Sequence, residues 1–139
     1  MNPQNEYLEM SVLTAPPHRL HLIVVEAALR FARFAQAALE MGDYESLGDA
    51  LSRSREMVSE LLAGLKDDQQ PDMIKDLRGL FVFVYRNLME AEFSRNPTQI
   101  ENAILILEKH HRTWSDLIDA LGDKALETPE EHKSLDWVM

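Results

Sequence analysis

Prolines, glycines and short polar stretches cut this chain into four apolar-periodic segments of about 22 to 25 residues each, which leaves little besides a helical bundle for it to form. The first segment starts near Thr14-Ala15-Pro16-Pro17-His18-Arg19-Leu20 and runs to Gly42. Its prolines occupy first-turn positions, where the N–H has no intrahelical acceptor in any case. Asp43 caps the second segment, whose seam is Tyr44, Leu47, Leu51, Ser54, Val58, Leu61 and Leu65, spaced three and four apart. That segment ends near Gly64 and the polar stretch from Lys66 to Pro71. Asp72 opens the third, with Ile74, Leu77, Phe81, Val84, Leu88 and Ala91 on one face. Asn96-Pro97-Thr98-Gln99 is a stop and a start together: an N-cap Asn, proline at the first helical position, and Gln three residues after the cap. The fourth segment carries Ile100, Ile104, Leu107, His111, Trp114, Ile118 and Leu121 and closes at Gly122.

Short connections force neighbouring helices to run antiparallel. The expected fold is therefore all-α: an up-down four-helix bundle over residues 15–122, preceded by an N-terminal segment, 1–14, and followed by an acidic tail, 123–139. The tail has a capping signal of its own, Thr128-Pro129-Glu130-Glu131, ahead of Leu135, Trp137 and Val138. It reads either as a short docking helix or as a frayed end.

Composition narrows the function. With 45% apolar and 27% charged residues the chain has ordinary globular usage, and 139 residues can bury a core without staples. There is no cysteine, hence no disulfide framework, thiolate zinc site or cysteine nucleophile, and a reducing compartment is expected. No apolar run has the length of a membrane span, and Met1 to Met10 reads as neither signal peptide nor anchor, so a cytoplasmic protein without membrane insertion is expected. Net charge is −10, from 24 acidic and 14 basic residues, a field that repels phosphate backbones and argues against a nucleic-acid partner.

The stretch Leu80-Phe81-Val82-Phe83-Val84-Tyr85-Arg86-Asn87-Leu88-Met89 is more apolar than one buried face requires. Beside the seam through Phe81, Val84 and Leu88, a second row of Val82, Tyr85, Met89 and Phe93 runs about 100° round the helix. Core packing on several sides explains such a row, and so does a groove for a partner's amphipathic helix. Tyr85 fits the groove better, because its hydroxyl needs a partner or water. The first helix is similarly rich in apolar residues, with Arg19, Glu26, Arg30, Arg33 and Glu40 gathered near one narrow stripe.

Catalytic constellations are sparse. A carboxylate-bridged di-metal bundle needs two Glu-x-x-His elements and two further glutamates, and only Glu108-Lys109-His110-His111 fits. Glu26 is accounted for by Arg30 and Arg33, four and seven residues on, as part of a solvated ion-pair stripe. His18 and His21 share a face but lack a third ligand, and no histidine has the setting of a helical phosphotransfer site. The expectation is a non-enzymatic interaction protein with no metal or cofactor; the alternatives are a di-metal enzyme or another helical adaptor.

Tyr7-Leu8-Glu9, the run Val12 to Leu20, Ala28-Leu29-Arg30, Gly42-Asp43, the aromatics of the third helix, Asn96-Pro97 and Arg112-Thr113-Trp114, taken in order, resemble the flagellar secretion chaperone FliS family over about residues 7 to 120. Two departures stand out. Pro16 replaces a family serine, removing an N-cap hydroxyl, and Val24-Val25-Glu26-Ala27 stands where the family has Leu-Tyr-Asp-Gly. The resemblance implies a chaperone that binds the disordered C-terminal segment of flagellin as amphipathic helices, prevents its premature polymerisation and keeps it competent for type III export, with the export apparatus as a further partner. It implies a segment around Tyr7 and Leu8 that acts as a mobile cover over part of the client groove; the chain itself is expected to be a monomer or weak homodimer. The expected client contacts are Tyr7, Leu8, Val82, Tyr85, Met89 and Phe93.

Overall fold

The computed structural model describes residues 16–66 and 71–122. These form four α-helices, α1 (Pro17–Met41), α2 (Tyr44–Ala63), α3 (Pro71–Ser94) and α4 (Pro97–Leu121), with no strand among the described residues. Each helix packs on its two neighbours in a closed ring, α1 on α2, α2 on α3, α3 on α4 and α4 on α1. That is the up-down bundle the punctuation implies. The tail, and its capping signal at Thr128 to Glu131, lies outside the described residues.

Local chemistry explains most of the boundaries. Pro16 is the N-cap of α1 and contributes no side-chain cap, its carbonyl instead accepting from the N–H groups of Arg19 and Leu20. Gly42 ends α1 in the left-handed region at φ 71°, which only glycine enters without strain, and this lets Gly42 N–H reach Leu39 O and Asp43 N–H reach Ala38 O. Asp43 then caps α2 by accepting from Ser46 N–H at 3.1 Å and Ser46 Oγ–H at 2.7 Å, and these two bonds hold its carboxyl below the usual aspartate value. The third helix starts one residue earlier than expected, at Pro71, which places Asp72 in the first turn, where its charge suits the helix dipole.

The α3–α4 corner departs from expectation. Asn96 accepts from Thr98 N–H at 3.0 Å as an N-cap should, but Gln99 does not close a capping box. Its amide donates to Glu90 at 2.9 Å and its oxygen takes Ser94 Oγ–H, while Asn96 N–H goes to Ser94 Oγ at 3.1 Å. The end of α3 lies close enough to outcompete the reciprocal bond. Between the helices Arg95 takes φ 55°, unusual for a side-chain-bearing residue, with its guanidinium 3.7 Å from the centre of the Tyr44 ring.

The core is one cluster running the length of the bundle: Val25, Leu29 and the alanines of α1, Leu47, Leu51, Val58 and Leu61 of α2, Ile74, Phe81, Val84 and Leu88 of α3, and Ile100, Leu107, Trp114 and Ile118 of α4. Alanine dominates the buried face of α1, and small side chains let a neighbouring backbone approach closely. Ser54 of α2 accordingly reaches the α1 backbone, donating to Ala28 O at 2.8 Å, which satisfies a polar group buried in that seam.

Candidate functional site

Helix α3 divides its apolar residues into three rows. Phe81, Val84 and Leu88 are completely buried and belong to the core. On the flank towards α2, Tyr85 lies seven residues before Glu92, whose carboxylate sits 3.5 Å from Arg55 of α2, so the two share one side of the helix. Along that flank Val82 and Tyr85 are half-buried, Tyr85 packing against the core, while Met89 is 40% and Phe93 79% exposed. Across from them, Gly48 of α2 presents no side chain towards Glu92, which keeps the floor of this flank low. Burial therefore grades from the middle of α3 to its C-terminal end, where Phe93 is almost wholly in solvent. Tyr7 and Leu8, the remaining expected contacts, lie outside the described residues.

The third row was not legible as a row in the sequence. Asn87 of α3 faces α4, its side chain donating to Phe83 O at 2.9 Å and accepting from Asn102 Nδ2 at 3.4 Å. Leu80 stands seven residues before Asn87 and Met73 fourteen, so both fall on that flank, and Phe83 lies one turn from Asn87. All three are open to solvent: Met73 at 44%, Leu80 at 42% and Phe83 at 45%. Ile106, partly buried, and the exposed Leu117 and Leu121 lie on the facing side of α4. The signal in the sequence was the spacing of Met73, Leu80 and Phe83, but adjacency to the core seam merged it into one apolar run.

The polar residues weighed for chemistry are dispersed differently from expectation. Glu26 is not tied to Arg30 and Arg33 within α1; its partner is His111 of α4 at 3.0 Å, while Arg33 pairs with Glu108 at 2.9 Å. These four residues line a surface cleft between α1 and α4 together with Leu29 and Arg112. Glu26, Glu108 and His111 are thus near one another, but two guanidinium groups share the cleft and compete for the carboxylates. Among the described residues no group of three or more His, Asp or Glu side chains is disposed to hold a metal ion.

His18 and His21 are both buried, and they do not act as a pair. His21 Nε2 meets His110 Nε2 at 2.7 Å, one ring donating and the other accepting, inside an aromatic box completed by Phe81 and Trp114. Trp114 in turn donates its indole N–H to His18 O at 2.9 Å. Burial, with the neighbouring His110 as a smaller cause, lowers the pKa of His21 to about 3; burial and then His111 lower that of His110 to about 4. Both rings are neutral at physiological pH, His21 buried and His110 partly buried at the edge of the core.

A four-helix bundle that seals one row of α3 and leaves apolar rows open on both flanks has the build of a helical chaperone. The chain belongs to the flagellar protein FliS family, whose model matches residues 1–121. It is 26% identical to the flagellar secretion chaperone FliS of Salmonella typhimurium over 111 residues, 79% of this chain and 82% of that protein. It is 24% identical to the same-named protein of Bacillus subtilis over 119 residues, covering 86% and 88% of the two chains. Against the Vibrio cholerae chaperone it is 19% identical over 110 residues, 79% and 81% of the respective lengths. Among the described residues no helix is long and apolar enough to cross a membrane.

Proposed function

We propose that this chain is a cytoplasmic, non-enzymatic export chaperone that binds the C-terminal segment of flagellin as amphipathic helices and delivers it to the flagellar type III apparatus. The client lies along the α2-side flank of α3, on Val82, Tyr85, Met89 and Phe93. The observation that carries this reading is the graded exposure of that row beside a sealed core row on the same helix. A disordered segment cannot bury its own apolar stripes, and a rigid bundle that supplies a matching stripe lets it fold on binding while hiding the surface through which subunits would polymerise. Family membership in the flagellar secretion chaperones supports the same client class. In this scheme the segment 1–14, through Tyr7 and Leu8, covers part of the groove until the client displaces it.

The test compares Phe93→Asp and Met89→Asp with Val84→Asp, using circular dichroism and titration with a flagellin C-terminal peptide. A carboxylate at the exposed positions stays hydrated in the free protein and is dehydrated only by the client. Phe93→Asp and Met89→Asp should fold normally and bind at least tenfold more weakly, whereas Val84→Asp should unfold the bundle. Unchanged peptide affinity in both exposed variants would move the client elsewhere.

A further inference from the structure

His21 Nε2 and His110 Nε2, 2.7 Å apart, share a single proton, and the surroundings decide which ring holds it. His21 is 2% exposed, and its other nitrogen, Nδ1, is sealed from water with no hydrogen-bond partner. Were His110 the donor, His21 would accept at Nε2 and carry its own proton at Nδ1, a buried N–H with nothing to donate to. Such orphans are rare because each forfeits a whole hydrogen bond. The nearest rings, Trp114 and Phe81, with centroids 4.8 Å and 6.3 Å away, offer only weak π acceptors. With His21 as donor, the buried Nδ1 holds a bare lone pair, and His110 keeps its proton at Nδ1 on a ring that is only partly buried. We propose that the bond runs one way, from His21 Nε2–H of α1 to His110 Nε2 of α4, and that the pair is a latch which takes up a proton only when α1 and α4 part.

A neutral imidazole has one basic nitrogen. In the closed pair that of His110 is occupied by the His21 proton, and that of His21 is the sealed Nδ1. Solvent therefore reaches no free lone pair of the latch until the bond breaks. A swing of His110 alone is opposed by its packing. The ring lies edge-on to Phe81 at 5.1 Å and stacked on Trp114 at 24°, so its departure opens a void and strands the His21 N–H. Trp114 stands one turn further along α4 and donates its indole N–H to His18 O at 2.9 Å, so the histidine pair and the indole fasten the same level of the two helices.

The groups around the pair favour opening over protonation in place. On α1 the buried His18 lies one turn before His21. On α4, His111 adjoins His110 and is bound to Glu26 of α1 at 3.0 Å, while Glu108 is held by Arg33 at 2.9 Å. From α3 the contact is the uncharged Phe81, with Arg78 one turn before it, and α2 contributes the buried Leu61 and Leu65 at the matching distance from the α1–α2 turn. No described carboxylate bonds either ring of the pair, so a proton added to the closed latch meets no counter-charge. Burial, the larger cause, and the neighbouring histidines already lower both pKa values, to about 3 for His21 and about 4 for His110. Once the helices part, both rings return towards the ordinary imidazole value of about 6.5. Acid below that value drives the opening, and α1–α4 is the seam that yields first, whichever client the bundle carries.

Heteronuclear NMR of the full-length chain tests both parts. At neutral pH, long-range ring correlations should show His21 protonated at Nε2 and bare at Nδ1, and His110 the reverse; the opposite tautomers, or an averaged mixture, overturn the one-way bond. Hydrogen exchange of the Trp114 indole N–H reports the latch, read against the backbone amides of Val58 and Val84, which are buried in α2 and α3. After correction for intrinsic exchange, Trp114 should lose protection below about pH 6.5 by up to about a hundredfold per pH unit, about tenfold for each ring, with Val58 and Val84 more strongly protected at every pH. His21→Gln keeps an N–H donor at similar reach but removes one titrating ring, and should cut the dependence to about tenfold per pH unit. Readings in the unaltered chain stand whether or not that variant folds. Equal protection at all three sites would mean that only the whole bundle opens, and overturns the latch. So does a His110 that titrates while Trp114 stays protected, because the ring then swings out alone.

Discussion

A neutral imidazole buried among apolar side chains carries a penalty in acid, because protonation would put a charge where water cannot solvate it. His21 and His110 both have pKa values below the ordinary histidine value, at about 3 and about 4, chiefly because burial disfavours their charged forms. The unfolded chain therefore binds more protons than the native one between about pH 6.5 and those values, and stability rises with pH across that window. The contribution is complete above about pH 6.5 and is lost as pH falls towards 4 and then 3, at up to about 1.4 kcal/mol per pH unit for each ring. His110→Leu should lower stability at neutral pH, by leaving His21 without its partner, yet flatten the decline between pH 6.5 and 4. Urea denaturation at several pH values measures both; an unaltered slope would show that His110 does not titrate with unfolding. Nothing local announces this pair: the partners are 89 residues apart, and only the α1–α4 packing makes them neighbours.

At the scale of the element, α3 shows how one helical run carries three separate instructions. Its core row was legible because Phe81, Val84 and Leu88 repeat at three and four and the structure buries all of them completely. The flanking rows have the same kind of spacing, so their exposure depended on where α2 and α4 come to rest. The helix also contains Gly79 at an exposed position, where an added Cβ would meet nothing within 4 Å. Glycine in a helix interior costs roughly 0.5–1 kcal/mol relative to alanine through backbone entropy, and here no packing requirement offsets that cost. Gly79→Ala should stabilise the protein by about that amount, read as a higher thermal midpoint with unchanged peptide binding. A drop in stability would mean that Gly79 is needed for a conformation or contact other than a plain helix.

For the whole molecule, the closed ring of four helices contains the described core cluster apart from Leu65, just past the end of α2, and Ile118 near the end of α4 is still part of it. Every described member of that cluster is kept when residues 123–139 are removed. The truncated chain should unfold cooperatively by heat, with a loss of stability small beside a total on the order of 10 kcal/mol. Loss of cooperative unfolding would place Trp137 in the folding core. The four described helices, their antiparallel order, the Asn96 cap and most of the buried seams, though not Tyr44 or Leu121, which are exposed, were determined by the sequence alone, because caps, breakers and a 3.6-residue period act within a few residues and short connections permit one arrangement. Tertiary structure decided what depends on lateral position: that Gln99 turns to Glu90 and Ser94 instead of its own cap, that Glu26 pairs with His111 across two helices, and that the described helices leave Met73, Leu80 and Phe83 exposed. Periodicity specifies which residues share a side of a helix, but whether that side meets a neighbour or water is set only when the other helices pack around it.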